Sequence, residues 1–119
     1  MLKDKLSVIE GLDYDAALMN SAGEEEFLKE ILMDICEDSA ARIDRMKSCL
    51  KEGNYKDYGI EAHAVKGLMA TIGVERLKEH AKKHEFAAKE DDHKYIDDDF
   101  EEFLGEYGGL CDKIKAVIG

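Results

Sequence analysis

Proline and tryptophan are absent from the 119 residues of this sequence, and cysteine occurs only three times. Without proline, no position lacks the backbone N–H that a helix interior needs. The remaining composition, rich in Ala, Leu, Glu, Lys and Asp, is typical of a helical protein. Cys36, Cys49 and Cys111 lack the spacing of a metal-binding motif, and their odd number indicates reduced thiols in a cytoplasmic protein.

Positive charge is also scarce, because 17 Lys and Arg residues stand against 28 Asp and Glu, a formal net charge of −11. Nucleic acid and anionic membrane surfaces repel such a chain, so neither is expected as a partner. No apolar run approaches the roughly 20 residues of a transmembrane helix, and the opening MLKDKLSVIEG lacks the apolar core of a secretory signal. The sequence predicts one soluble domain with a single hydrophobic core.

A long helix is predicted in the first half of the chain, beginning near Ala22 or Gly23 and ending at about Lys51. Ser21 and Glu24 match the S-x-x-E capping box found at many helix starts. Apolar residues then recur at helical spacing: Leu28, Ile31, Ile35, Ile43, Met46 and Leu50.

A second helix is predicted after Gly53, which can adopt a positive φ, and Asn54, which can cap the helix that follows. Gly73 is expected to end this helix. Its apolar residues are spaced 4, 3, 4 and 3 apart, as in the seam of a helical bundle: Tyr58, Ala62, Val65, Met69 and Ile72.

Two further helices complete the pattern. The third carries Leu77, Ala81 and Ala88 and ends in the polar residues 89–93. The fourth again alternates spacings of 4 and 3 between apolar residues: Ile96, Phe100, Phe103, Tyr107, Leu110, Ile114 and Val117.

These four amphipathic helices with short connections predict an all-α fold, an antiparallel up-down-up-down four-helix bundle. Residues 21–119 would form the bundle as a single domain. Residues 1–20 would form an irregular opening and one short helix, over about residues 13–21, that covers one end of the bundle.

His63 is expected on the solvent side of its helix, because a step of about 100° per residue puts it opposite the apolar seam. Helical side chains lean toward the N-terminus, so Gly67 would leave the imidazole uncovered, and Gly59 would remove bulk on the other side. Lys66 would bring its ammonium beside the ring. An exposed imidazole, a neighbouring cation and open space are what an incoming phosphoryl group requires.

The sequence AHAVKGLMATIGVERL, residues 62–77, resembles the signature of histidine-containing phosphotransfer (HPt) domains of two-component phosphorelays. The family motif is a histidine, x-x-Lys-Gly, an apolar residue and glycine before a turn, and then a leucine. The matching residues are His63, Lys66, Gly67, Ile72, Gly73 and Leu77. Glu85 matches a Glu or Gln that the family often has on the next helix. The resemblance covers essentially the whole chain, since the family fold is a four-helix bundle with a short N-terminal helix.

Four positions depart from the family pattern. Leu68 and Met69 stand where small residues are usual, and their places in or beside the seam explain them by packing. His84 stands where an aliphatic residue is common and is expected to be partly buried and hydrogen-bonded. Asn54 replaces the usual acid at the turn.

The resemblance implies a phosphoryl carrier and not an enzyme. His63 would accept a phosphoryl group from a receiver-domain aspartate, or from a kinase such as a hybrid sensor histidine kinase, and pass it to another receiver. Lys66 would balance phosphoryl charge and Gly67 would give access. The protein would hold no metal or cofactor and would have no nucleotide site, because the receiver supplies Mg²⁺. A monomer is expected, with a docking patch around the histidine: Lys56, Ile60, Leu68 and Ala70.

Two other functions stay open from the sequence. The same fold could serve only for protein docking, without phosphotransfer. Alternatively, the helices could bind a metal, since His80 and His84 have the i, i+4 spacing of two ligands on one helix face, with Glu79, Glu85 and His93 nearby. The absence of H-E-x-x-H and of a repeated E-x-x-H argues against this alternative.

Overall fold

The chain is helical along most of its length in the computed structural model, which describes all residues from 1 to 119. Six α-helices and no β-strand form, which confirms the predicted all-α class. None of these helices is both long and apolar enough to cross a membrane. The helices are α1 (Leu2–Leu6), α2 (Tyr14–Met19), α3 (Glu25–Lys51), α4 (Tyr55–Thr71), α5 (Glu75–Lys89) and α6 (His93–Ile118).

Local sequence signals set most of the helix ends. The side chain of Asn54 accepts a hydrogen bond of 3.1 Å from the backbone N–H three residues later and so caps α4. Asp13 and Asp92 cap α2 and α6 in the same way. Gly53 and Gly73 follow the ends of α3 and α4 with φ of 72° and 74°, a left-handed conformation that glycine adopts at little cost.

The capping box predicted at the start of the long helix is wrong. The hydroxyl of Ser21 donates instead to the carbonyl of the residue four positions earlier, at 2.8 Å, and Glu24 makes no side-chain cap. Ala22 and Gly23 have φ of 58° and 73°, so neither can belong to a right-handed helix. The helix α3 therefore begins only at Glu25.

The four longer helices contact one another in a ring, α3 with α4, α4 with α5, α5 with α6, and α6 with α3. Their connections, residues 52–54, 72–74 and 90–92, contain three residues each. The irregular opening expected from the sequence is confined to residues 7–13, because α1 forms before it, packs on α6 and buries Leu6. The helix α2 packs on α3. The molecule measures 44 × 21 × 20 Å.

The apolar seam predicted for α4 is confirmed, since all five of its residues are fully buried. The stripe of α6 also faces the core, with Phe100 and Val117 only half-buried at its edges. Burial of the α4 seam contributes a favourable free energy of roughly 25 cal/mol per Å² of apolar surface removed from water, and this holds α4 in a fixed rotation. Residues on its opposite side are consequently held in solvent.

Gly59 lies where α4 approaches α5 closely. A Cβ atom at this position would be 2.7 Å from the Cβ of Ala88, well inside contact distance. The expected role of Gly59, to remove bulk beside His63, therefore has to be corrected. Its missing side chain is needed for the packing of α4 against α5.

The Gly59→Ala variant is expected to lose about 1–3 kcal/mol of the free energy of unfolding, because the added methyl overpacks this contact. Urea unfolding measures the loss. The double variant Gly59→Ala with Ala88→Gly should have a free energy of unfolding near that of the wild type. The collision is removed, and the helix propensity that α4 gains from alanine is lost by α5 to glycine. An unchanged unfolding midpoint for Gly59→Ala alone would contradict the packing role.

Candidate functional site

His63 projects from the solvent side of α4, in agreement with the orientation expected from the sequence. Its side chain is 65% exposed, whereas its neighbours in the seam, Ala62 and Val65, are fully buried. The backbone of His63 is thus held by the core while the ring remains accessible to another molecule.

A buried carboxylate on the next helix orients the His63 ring. Nδ1 of His63 lies 2.7 Å from Oε2 of Glu85, whose side chain is only 5% exposed. An ionised carboxylate can only accept hydrogen bonds, so the proton must be on Nδ1, which donates to Glu85. In the neutral ring, Nε2 then carries the free lone pair. The ring is therefore held in the tautomer whose nucleophilic nitrogen is Nε2.

Two ammonium groups keep Glu85 ionised. Nζ of Lys66 lies 2.7 Å from Oε1, and Nζ of Lys89 lies 3.3 Å from Oε2. Burial alone would raise the pKa of Glu85, but the contacts with Lys66, His63 and Lys89 outweigh burial and lower the pKa to about 2. At neutral pH the carboxylate is charged and lies between the two ammonium groups and the imidazole.

The expected position of Lys66 is correct in part. Its ammonium lies near the imidazole, but it forms an ion pair with the carboxylate that orients the ring, and it does not project freely into solvent. The sequence reasoning missed Lys89, whose more exposed ammonium lies on the same carboxylate. Its i, i+4 relation to Glu85 on one helix was the signal that could have identified it.

An open groove of about 610 Å³ adjoins His63 between α4 and α5. It contains both charges and apolar surface, and its one large exposed hydrophobic side chain is Ile60, which is 60% exposed. The groove is lined by Lys56, Gly59, Ile60, His63, Glu85, Ala88, Lys89 and Asp91. Two expected docking residues, Lys56 and Ile60, therefore line one surface with the histidine.

The other expected docking residues lie outside the groove. Ala70 is exposed, and its backbone carbonyl accepts a hydrogen bond of 3.4 Å from the side chain of Asn20. Leu68 is half-buried and packs against the core, so only part of its side chain is available to a partner.

Gly67 faces open space. A Cβ atom there would meet no other atom within 4 Å, in contrast to the collision found at Gly59. No helix packing requires Gly67. What its missing side chain leaves free is the surface next to His63.

A second cluster of titratable residues joins α5 to α6. Nε2 of His84 lies 2.8 Å from Oδ2 of Asp99, and Nε2 of His80 contacts the same oxygen. His84 is fully buried, beyond the partial burial expected, and burial lowers its pKa. Burial would raise the pKa of Asp99, but the hydrogen bonds from His80 and His84 lower it overall.

This cluster differs from the metal ligands considered from the sequence. Glu79 is exposed and contacts Lys78, while the ring of His93 stacks on Tyr55 at a centroid distance of 3.7 Å. Glu85 belongs to the His63 site. Asp99 was missed because it lies on another helix, and only the packing of α6 on α5 brings it to the histidines.

Comparisons of the chain with protein-family models, with curated proteins and with solved structures found no match. The function has to be argued from the geometry of these residues.

Proposed function

We propose that this protein is a histidine phosphotransfer protein, which carries a phosphoryl group on His63 between receiver-domain aspartates, or from a kinase to a receiver. In this proposal α3 to α6 form an antiparallel up-down-up-down four-helix bundle. The ring of contacts between these helices supports this arrangement. The three-residue connections support it as well, because two helices that pack together across so short a connection must run antiparallel.

The observation that carries the proposal is the pairing of exposed His63 with buried Glu85. The hydrogen bond of 2.7 Å fixes the ring and its tautomer, and the exposure of the ring leaves Nε2 accessible. An ordinary surface histidine has neither a buried carboxylate partner nor a fixed tautomer. A nucleophile activated by an oriented carboxylate is the arrangement that phosphoryl transfer through histidine needs.

The chemistry would be an in-line displacement at phosphorus. The Nε2 lone pair forms the N–P bond while the bond from phosphorus to the receiver's aspartyl oxygen breaks, and the aspartate leaves as a carboxylate. The proton stays on Nδ1, and the positive charge that develops on the ring is balanced by Glu85. The product is a phosphoramidate, which is labile in acid.

Lys66 and Lys89 would balance the charge of the phosphoryl oxygens. Two ammonium groups and one carboxylate give this part of the surface a local charge of +1, within a chain whose net charge is −11. This local charge would help a phosphorylated acidic pocket to approach.

The partner would be a receiver domain, which supplies Mg²⁺ and the phosphorylated aspartate. Lys56 and Ile60 in the groove and Ala70 nearby would contact it, with the exposed part of Leu68. The protein would act as a cytoplasmic monomer, and phosphoryl transfer through His63 would need no nucleotide site or cofactor of its own.

The direct test is incubation of the wild-type protein with a receiver domain carrying a labelled aspartyl phosphate and Mg²⁺. We expect the label to move to this chain and to be lost in acid but retained in alkali, as a phosphohistidine requires. If the chain binds phosphorylated receivers drawn from its source organism but never acquires label, it is a docking module without phosphotransfer, and the proposal is wrong.

Substitutions at Gly67 test whether the open surface beside His63 serves access. Gly67→Ala is expected to raise the free energy of unfolding by about 0.5–1 kcal/mol, because alanine favours helix and meets no neighbour. Gly67→Leu should also fold but should accept label at least about tenfold more slowly, because its side chain leans over the imidazole. Urea unfolding and the rate of labelling measure the two effects. Equal labelling rates for Gly67→Leu and the wild type would contradict the access role.

A further inference from the structure

The cluster of His80, His84 and Asp99 lies apart from the groove beside His63. One ligand atom from each of the three residues can be chosen so that all lie within 4.8 Å of one another. The two histidines are one turn apart on α5, and Asp99 reaches them from α6. Two imidazole nitrogens and a carboxylate oxygen converge on one region between two helices.

The hydrogen bonding at Asp99 is unusually crowded. Its Oδ2 atom contacts Nε2 of His80, Nε2 of His84 at 2.8 Å and the hydroxyl of Tyr95 at 3.4 Å. Three donors on one oxygen exceed its two lone pairs. A cation between the two Nε2 atoms and the carboxylate would relieve this crowding, because each nitrogen would direct its lone pair at the cation.

Both histidines are held from the far side of the ring. Nδ1 of His80 lies 2.7 Å from Oε1 of Glu106, and Nδ1 of His84 lies 2.8 Å from the hydroxyl of Tyr58. Metal-binding histidines characteristically use their second nitrogen in this way, which fixes ring orientation and tautomer. The ring of His84 is therefore fixed between Tyr58 on one side and Asp99 on the other.

We propose that His80, His84 and Asp99 bind one divalent transition-metal ion, with Zn²⁺ as the best match to two imidazoles and one carboxylate. Such an ion would link α5 to α6. This site is independent of the phosphotransfer function proposed for His63. His80 and Asp99 are 14% and 21% exposed, so water can reach the ion as a fourth ligand.

Protons must move when the ion binds. His80 would bind the ion through the lone pair of Nε2, with a proton on Nδ1 held by the hydrogen bond to Glu106 and any proton on Nε2 released to solvent. His84 keeps one proton by transferring it from Nε2 to Nδ1, where the Tyr58 oxygen accepts it. Asp99 then binds the ion through the oxygen that previously accepted from both rings.

The test uses full-length protein treated with a chelator, dialysed, and titrated with ZnCl₂ in competition with a chromophoric chelator. The wild type is expected to bind one Zn²⁺ per chain, and its melting temperature should rise by several degrees when Zn²⁺ is in large excess over Kd. His80→Gln and the isosteric Asp99→Asn should each weaken binding at least about tenfold and abolish the rise. His93→Gln, which changes a histidine outside the cluster, should bind like the wild type.

Circular dichroism without Zn²⁺ shows whether each variant folds. If His80→Gln does not fold, Asp99→Asn still tests the proposal. The proposal is overturned if the wild type binds no stoichiometric Zn²⁺. It is also overturned if His80→Gln and Asp99→Asn bind as tightly as the wild type while His63→Gln does not, because the ion would then lie at the phosphoryl-acceptor site.

Discussion

Phosphoryl transfer from a labelled receiver domain to the His63→Gln variant is expected to fall to background. Glutamine has about the length of histidine and can still donate a hydrogen bond to Glu85, but its amide nitrogen has no lone pair available for attack on phosphorus. Because the His63 side chain is mostly exposed, the free energy of unfolding should change by less than about 1 kcal/mol. Loss of label in a folded variant therefore reports chemistry and not stability.

The matched control for this experiment is His93→Gln. His93 is also a surface histidine, with a side chain 46% exposed, but it stacks on Tyr55 and has no buried carboxylate partner. It should accept label at the wild-type rate. Retention of label by His63→Gln, or its loss in His93→Gln alone, would mean that the acceptor has been assigned to the wrong residue.

Replacement of Glu85 by glutamine is expected to have the second largest effect, on both transfer and stability. A neutral amide holds the Nδ1 proton of His63 less firmly and can rotate to present its own NH₂ group, so the reactive tautomer is no longer enforced. The rate of labelling should fall about 10- to 100-fold, the range found when a metal-binding histidine loses the partner that orients its ring. Single-turnover labelling against a phosphorylated receiver measures this effect.

The stability effect of Glu85→Gln should depend on pH. The pKa of Glu85 is about 2 in the folded protein, against a usual value of 4.5, so its ionisation stabilises the fold by on the order of 3 kcal/mol above pH 4.5. This contribution is lost as the pH falls from 4.5 toward 2, because the unfolded chain then binds the proton first. Urea unfolding at pH 6 and at pH 3 should show a large difference between wild type and variant at the higher pH and a smaller one at the lower.

Glu90→Gln provides the control for the pH experiment, since Glu90 is exposed at the end of the same helix. It should follow the wild type at both pH values. A stability difference between Glu85→Gln and wild type that is the same at pH 6 and pH 3 would show that the carboxylate charge is not what stabilises this site.

The sequence was informative where local periodicity and burial agree. The seam of α4 fixes the rotation of that helix, so the exposure of His63 could be predicted from spacing alone. The cap at Asn54 and the turn at Gly53 are also local signals, each involving a few neighbouring residues. The capping box at Ser21 failed because the left-handed conformation of the next two residues, which the motif does not encode, moved the start of α3.

Contacts between helices were harder to predict. The match of Glu85 to a family position singled out this residue, but its contacts with His63 and Lys66 depend on how α4 and α5 pack. Asp99 could not be joined to the histidines of α5 without knowing the register of α6. Gly59 was interpreted through its neighbour on the same helix, whereas its contact, Ala88, lies 29 positions later.

The contact between Gly59 and Ala88 constrains how this sequence can drift in evolution. Ala88 lies three positions after Glu85, and Gly59 lies four before His63, so their separation sets the spacing of the two helices across the site. A larger residue at position 88 would force α5 away from α4 and stretch the bond from the imidazole to its carboxylate. A lineage could thus lose the phosphoryl acceptance proposed for His63 while His63, Lys66 and Glu85 all stayed the same.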